Sequence, residues 1–267
     1  VSAISIFRLI RKTYQHFVDR PFKHGVILNE RYRILQLIGT GSYGMAYLCK
    51  DLETMEHKVV KQLRPSKRKE IDLFKKEINL LSKLNHPSMP RVYESFSCDD
   101  QFLYIMDYGE GDNLERQIFS RKRTFSEQES LLFFSHLLEM VNSLHRQEIY
   151  HLDLRIPNIL LKEKKPFLID FGLAMDAVSD PKEQESHTEM RQQDYFDLGD
   201  ILLFLLYTTY TKPRKKALPW TEELSLADET AHMLKRLLGL LHPYSNGEEI
   251  HTDLLAAINA TKTVTEN

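Results

Sequence analysis

Cysteine, net charge and long apolar runs are all scarce in this 267-residue chain, and each scarcity removes a class of protein. The two cysteines, Cys49 and Cys98, lie far apart, so they offer neither a disulfide framework nor a thiolate cluster and suit a reducing compartment. Lys and Arg number 36 against 38 Asp and Glu, and the resulting charge of -2 creates no field that would draw in nucleic acid. A nucleic-acid partner is therefore not expected. No run approaches the roughly 20 apolar residues that span a bilayer. The longest, Ile201 to Tyr207, has the length of a buried helix segment. Arg8, Arg11 and Lys12 interrupt the apolar residues at the start and do not match a secretory signal, so a cytoplasmic location is expected.

What is present falls into three stretches. Residues 1–26 read as an extension in which Ile6, Ile10, Tyr14 and Phe17 alternate at helical spacing with Arg8, Arg11, Lys12 and Arg20 before Pro21 ends the pattern. Such a basic amphipathic helix could make peripheral contact with an anionic membrane through residues 1–20, or pack on the domain or a partner. Residues 27–108 change to short strand-like runs: Tyr32 to Ile38, Met45 to Cys49, His57 to Gln62, Val92 to Phe96 and Phe102 to Met106. A single helix is predicted among them over residues 67–85, from Ile71, Phe74, Ile78, Leu81 and Leu84. Residues 109–262 are mainly helical, with helices predicted at 126–147, 194–208 and 228–241. The fold class is α+β, a small β-rich half followed by a larger helical half. The polar stretch Asp107 to Asn113 is the candidate hinge, and the halves are expected to face each other across a cleft.

Gly39, Gly41 and Gly44 form G-x-G-x-x-G between two predicted strands, where missing side chains let backbone N–H groups approach phosphate oxygens. A dinucleotide-binding turn would open a helix here, whereas Met45 to Cys49 reads as a returning strand; a tight hairpin would place the glycines equally well. Lys61 ends the strand Lys58-Val59-Val60-Lys61, and Glu77 lies on the helix that follows. Such a pair can hold an ammonium group against nucleotide phosphates. Further on come His151-Leu152-Asp153-Leu154-Arg155-Ile156-Pro157-Asn158, a hydrophobic strand, and Asp170-Phe171-Gly172.

These five motifs in order, over roughly residues 30–210, resemble the protein kinase superfamily, in particular bacterial eukaryotic-like (Hanks-type) serine/threonine kinases with a shortened activation segment. The resemblance implies a bilobal kinase-like fold that binds ATP and Mg2+ and phosphorylates protein hydroxyls. By that resemblance Asp153 is the catalytic base, Arg155 keeps a cation near the transferring phosphoryl group, Lys61 fixed by Glu77 holds the nucleotide phosphates, and Asn158 and Asp170 hold magnesium. Nucleotide contacts are expected from Ile38, Gly39, Gly41, Gly44, Ala46, Val59, Lys61, Met106, Asp107, Gly109, Asn113 and Leu160. Ala46 and Val59 exchange the sizes usual in the family, nearly preserving pocket volume. Asp194 resembles the aspartate that begins the central helix and anchors the catalytic loop.

Departures from the pattern are equally specific. Leu152 replaces the usual arginine before the catalytic aspartate, so activation through a phosphorylated loop is not expected. Asp170 and Asp194 are only 24 positions apart, with no A-P-E motif between them. The arginine that would pair with that missing glutamate is not evident around His242 to Glu249, and the two losses agree because either partner alone would be an unpaired buried charge. Ser179, Ser186 and Thr188 are candidate phosphorylation sites in a polar loop. The missing peptide platform leaves a small-molecule acceptor open, and a silent nucleotide-binding scaffold is a further alternative.

Overall fold

The computed structural model describes residues 18–178, 187–211 and 218–265. The expected helix over residues 1–20 lies almost wholly outside them, as do Ser179 and Ser186. The chain divides into two compact units, one ending at Gly109 and the other beginning at Glu110.

The first unit is an antiparallel sheet of β1 (Ile27–Leu28), β2 (Tyr32–Thr40), β3 (Gly44–Asp51), β4 (His57–Leu63), β5 (Val92–Cys98) and β6 (Gln101–Asp107), in the order β1-β2-β3-β4-β6-β5. Side chains alternate across a strand. Met45, Tyr47 and Cys49 of β3 accordingly pack with Ile34, Val60, Leu103 and Ile105 in one core, leaving the opposite face to other residues. A 3-10 turn at Pro65–Glu70 precedes the helix α1 (Ile71–Lys83), so the helix begins later than its apolar pattern predicted. Pro65 explains the delay, since it stands at the start of the tighter turn and Lys67 within that turn is not helical. Phe74, Glu77, Leu80 and Leu81 form the buried stripe of α1.

The second unit contains β7 (Asp112–Asn113), α2 (Leu114–Phe119), α3 (Glu127–His145), β8 (Ile149–Tyr150), β9 (Ile159–Lys162), β10 (Lys165–Leu168) and β11 (Met175–Asp176). Helices α4 (His187–Tyr207), α5 (Trp220–Glu223), α6 (Asp228–Leu237) and α7 (Gly247–Thr265) follow. A reciprocal cap starts α3: the Ser126 hydroxyl accepts the Glu129 N–H at 3.2 Å, and the Glu129 carboxylate accepts the Ser126 N–H at 2.9 Å.

The helices of this unit also differ from the sequence expectation. Helix α4 starts at His187, two turns before Asp194, because Met190 joins the buried cluster of Tyr150 and Ala177 and Gln192 donates to the Tyr244 carbonyl at 2.6 Å. Helix α6 stops at Leu237 because Gly239, at φ +70°, closes a C-cap in which Gly239 N–H reaches Arg236 O and Leu240 N–H reaches Lys235 O. Helix α7 was not expected at all; Asn246 caps it by accepting the N–H groups of Glu248 and Glu249. The single hydrophobic strand expected after Asn158 is the hairpin β9–β10, turned at Glu163.

Candidate functional site

The first unit assembles one group of the expected residues through strand register. Ala46 pairs with Lys61, Leu48 with Val59, Val59 with Met106 and Lys61 with Tyr104. Period-two alternation therefore puts Ala46, Val59, Lys61 and Met106 on one sheet face, opposite the Tyr47–Val60 core. Gly39 stands opposite Ala46 in the same register, and a bulge between Leu37 and Gly39 takes Ile38 out of the pairing and leaves it exposed. The Lys61 ammonium meets the Glu77 carboxylate at 2.5 Å, with side chains only 15% and 5% exposed. That ion pair joins β4 to α1 across sixteen residues of chain.

The glycine turn closes on itself through Gly41 N–H to Gly44 O at 2.9 Å. At Gly44 a Cβ would fit tightly, 3.1 Å from the Gln62 carbonyl oxygen and 3.5 Å from the Lys61 chain. At the other end of the sheet Asp107 is tied down: its N–H donates to Arg91 O, and its carboxylate accepts from Arg91 N–H and from the Tyr93 hydroxyl. It is thus the carbonyl of Asp107, rather than its N–H, that could meet a base. Gly109, the last residue of the first unit, is buried.

The second unit assembles the other group through short ladders. Ile159 pairs with Leu168, so the β9–β10 hairpin returns the chain to where it left Asn158, and Ile169 N–H donates to Asn158 O at 2.9 Å. Asn158 and Asp170 are thereby brought together across the hairpin. Asn158 also donates its side-chain amide to the Asp153 carbonyl and to one Asp153 carboxylate oxygen, both at 2.9 Å. Arg155 Nε lies 3.2 Å from the other carboxylate oxygen, on a guanidinium side chain that is 60% exposed. Asp153 is consequently held from both sides. Asn113 and Leu160 are direct cross-strand neighbours, and the Asn113 oxygen caps α2 by accepting Arg116 N–H at 2.8 Å.

Asp194 is wholly buried and accepts three donors: the N–H of His151 at 3.0 Å, the N–H of Leu152 at 2.8 Å and His145 Nε2 at 2.8 Å. It carries Leu152 at φ +59°, a left-handed conformation that a leucine reaches only under constraint. His145 has no local signal in the sequence, since it comes from the end of α3, and it was not anticipated. His151 is buried against the Phe171 ring at 4.8 Å, and that burial pushes its imidazole below the usual histidine range and keeps it neutral. Asp170 itself is left-handed at φ +64°, and a Cβ on Gly172 would crowd its carboxylate at 3.3 Å. Asp197, one turn beyond Asp194, is pushed up to about 6 mainly by burial, although the Gln193 amide and the Leu154 N–H favour its charged form.

The protein kinase domain model matches residues 32–196, more than half of the chain. A Bacillus subtilis (strain 168) relative named "Probable serine/threonine-protein kinase YbdM" is 44% identical over 245 residues, covering 91% of this chain and 95% of that protein. Serine/threonine-protein kinase B of Synechocystis sp. is 25% identical over 264 residues, covering 84% of this chain but 46% of that protein. Serine/threonine-protein kinase nekl-2 of Caenorhabditis elegans is 30% identical over 205 residues, which are 66% of this chain and 57% of that protein. With the antiparallel sheet and single helix of its first unit, the helical second unit and this match, the chain belongs to the protein kinase family, among relatives named as serine/threonine-protein kinases.

Proposed function

We propose that the chain transfers the γ-phosphoryl group of ATP to serine or threonine hydroxyls of protein substrates. The observation that carries this reading is the bracketing of Asp153, with Asn158 on one carboxylate oxygen at 2.9 Å and Arg155 on the other at 3.2 Å. A carboxylate fixed in this way can orient an acceptor hydroxyl and take its proton as the oxygen attacks phosphorus. ATP supplies the transferable group, and Mg2+ neutralises charge on its phosphates. The Lys61 ammonium, held by Glu77, binds phosphate oxygens in this reading, and the sheet face of Ala46, Val59 and Met106 meets the base.

The donor set fits magnesium. Among the described residues no group of three or more His, Cys, Asp or Glu side chains is placed to hold a metal unaided. Asn158 commits its amide nitrogen to Asp153, which leaves its oxygen as the ligand atom beside the Asp170 carboxylate. Two hard oxygen ligands, completed by phosphate and water, suit Mg2+.

The serine/threonine acceptor and the cytoplasmic setting belong to the same proposal, as does peripheral membrane contact through residues 1–20. No helix among the described residues is long and apolar enough to cross a membrane. The test is transfer of radiolabelled γ-phosphate with Mg2+ to a generic protein acceptor by wild type, Asp153→Asn and Lys61→Ala, followed by phosphoamino-acid analysis. Label on serine or threonine that disappears in both variants is the expected result. Label on tyrosine, on small molecules only, or no transfer by a wild type that still binds ATP would overturn it.

A further inference from the structure

Arg64, three residues beyond Lys61, is bonded to the glycine turn twice. Its backbone N–H donates to the Tyr43 carbonyl at 2.8 Å, and its side-chain Nε donates to the Gly41 carbonyl at 2.7 Å. Peptide planarity converts these bonds into an orientation. In a trans peptide the C=O and the following N–H point in opposite directions. With the Gly41 and Tyr43 carbonyls turned to Arg64, the N–H groups of Ser42 and Gly44 point to the opposite side of the turn. A face carrying N–H groups is the face an anion approaches.

The guanidinium of Arg64 is fixed in turn by Asp19. One Asp19 oxygen accepts Arg64 Nη1 at 3.2 Å and the Ser66 hydroxyl at 2.7 Å, while the other accepts the Ser66 N–H at 2.9 Å. The Asp19 side chain is only 2% exposed and that of Arg64 22%, so solvent screens this ion pair weakly. The chain around Asp19 is also anchored to the sheet: Phe22 donates its N–H to the Tyr47 hydroxyl and packs its ring on Tyr47, and Gly25 N–H donates to Ile34 O.

We propose that Asp19 is a positioning residue for nucleotide phosphate, acting through Arg64 to hold the Gly41–Gly44 turn with its N–H groups outward. Asp19 lies in the segment before the kinase sheet and touches no part of the expected nucleotide site, so it sets phosphate affinity from outside that site. This rests on the reading that the turn binds the phosphates of ATP.

The test is calorimetric titration of the full chain with Mg-ATP and separately with adenosine, which lacks phosphates. Wild type, Asp19→Asn, Arg64→Gln, Arg64→Lys, the double variant Asp19→Asn/Arg64→Gln, and Lys61→Ala are compared, with thermal unfolding of each. Asp19→Asn should weaken Mg-ATP about fivefold, the scale of a partly lost charge-assisted hydrogen bond, and leave adenosine unchanged. The same change should have no effect in the Arg64→Gln background. Arg64→Lys, which keeps the charge but has no Nε donor, should resemble Arg64→Gln. Equal weakening of both ligands, or an Asp19→Asn effect that persists without Arg64, overturns the role of Asp19. If Lys61→Ala also fails to distinguish Mg-ATP from adenosine, the phosphate-binding reading itself fails, and the positioning role falls with it.

Discussion

The two units build their functional groups by opposite means. In the first, regular β pairing does the placing: Ala46, Val59, Lys61 and Met106 share a face because β3, β4 and β6 are in register. Its left-handed non-glycine residues, Asn29, Glu30, Met55, Asp99 and Asp100, all lie in connections between strands, away from that face. In the second, Leu152 and Asp170 adopt left-handed backbone inside the functional group itself. Such conformations cost about 1 to 3 kcal/mol each and persist only when the surroundings impose them. At Leu152 the imposing group is the buried carboxylate of Asp194. A sheet can position a lysine with no strain, whereas a loop that must present Asp153 and Asn158 together needs a buried clamp.

The largest expected effect lies in the second unit. Asp153→Asn should lower phosphotransfer by about 100- to 10,000-fold, the usual contribution of a general base, with Mg-ATP binding and thermal stability little changed. Single-turnover kinetics and calorimetry measure the two halves of that statement. In the first unit, Lys61→Met leaves the Glu77 carboxylate buried without its ammonium partner. Removing one side of a buried pair costs about 3 to 5 kcal/mol, while replacing both by apolar residues is often neutral. Urea unfolding should therefore show Lys61→Met/Glu77→Leu more stable than Lys61→Met, and phosphotransfer should remain lost in both. A double variant that regains activity would show that the pair serves only to hold β4 on α1.

Asp194→Ala tests the clamp. Two backbone N–H groups and His145 lose their acceptor, for an expected loss of about 3 kcal/mol in urea unfolding together with most activity. Preserved activity would mean that the Leu152 conformation is held by its neighbours without the carboxylate.

The smallest effect is a pH dependence at Asp197. Its folded value of about 6 lies above the ordinary 3.8, so its neutral form is the one favoured by folding. The contribution to stability is full below about pH 4 and is lost as pH rises through 6. Asp197→Asn should therefore gain stability relative to wild type between pH 4 and 7. An unchanged difference across that range would show that Asp197 titrates normally.

Several elements could be read from residue pattern alone because their information is local. The strands from Tyr32 to Met106 follow alternation, the helix of Phe74 and Leu81 follows its spacing, and Gly39, Gly41, Lys61, Asp153, Asn158 and Asp170 stand in motifs with fixed intervals. Polar segments hid the rest. His187 to Gln193 is helical because Met190 and Gln192 find tertiary partners, which a polar run does not announce. Gln192 thereby makes a neutral tie into the segment His242 to Glu249, which contains no arginine.

By itself the sequence determined the motifs, their spacing and the type of element that bears most of them, since hydrophobic period and motif spacing are properties of neighbouring residues. Only the tertiary structure decided that a hairpin brings Asp170 back to Asn158 and that His145 joins His151 and Leu152 on the Asp194 carboxylate. The same holds for the bonds from Asp19 through Arg64 to Gly41. These links join residues distant in the chain, and a buried charge takes whichever donor the packing brings within hydrogen-bond reach.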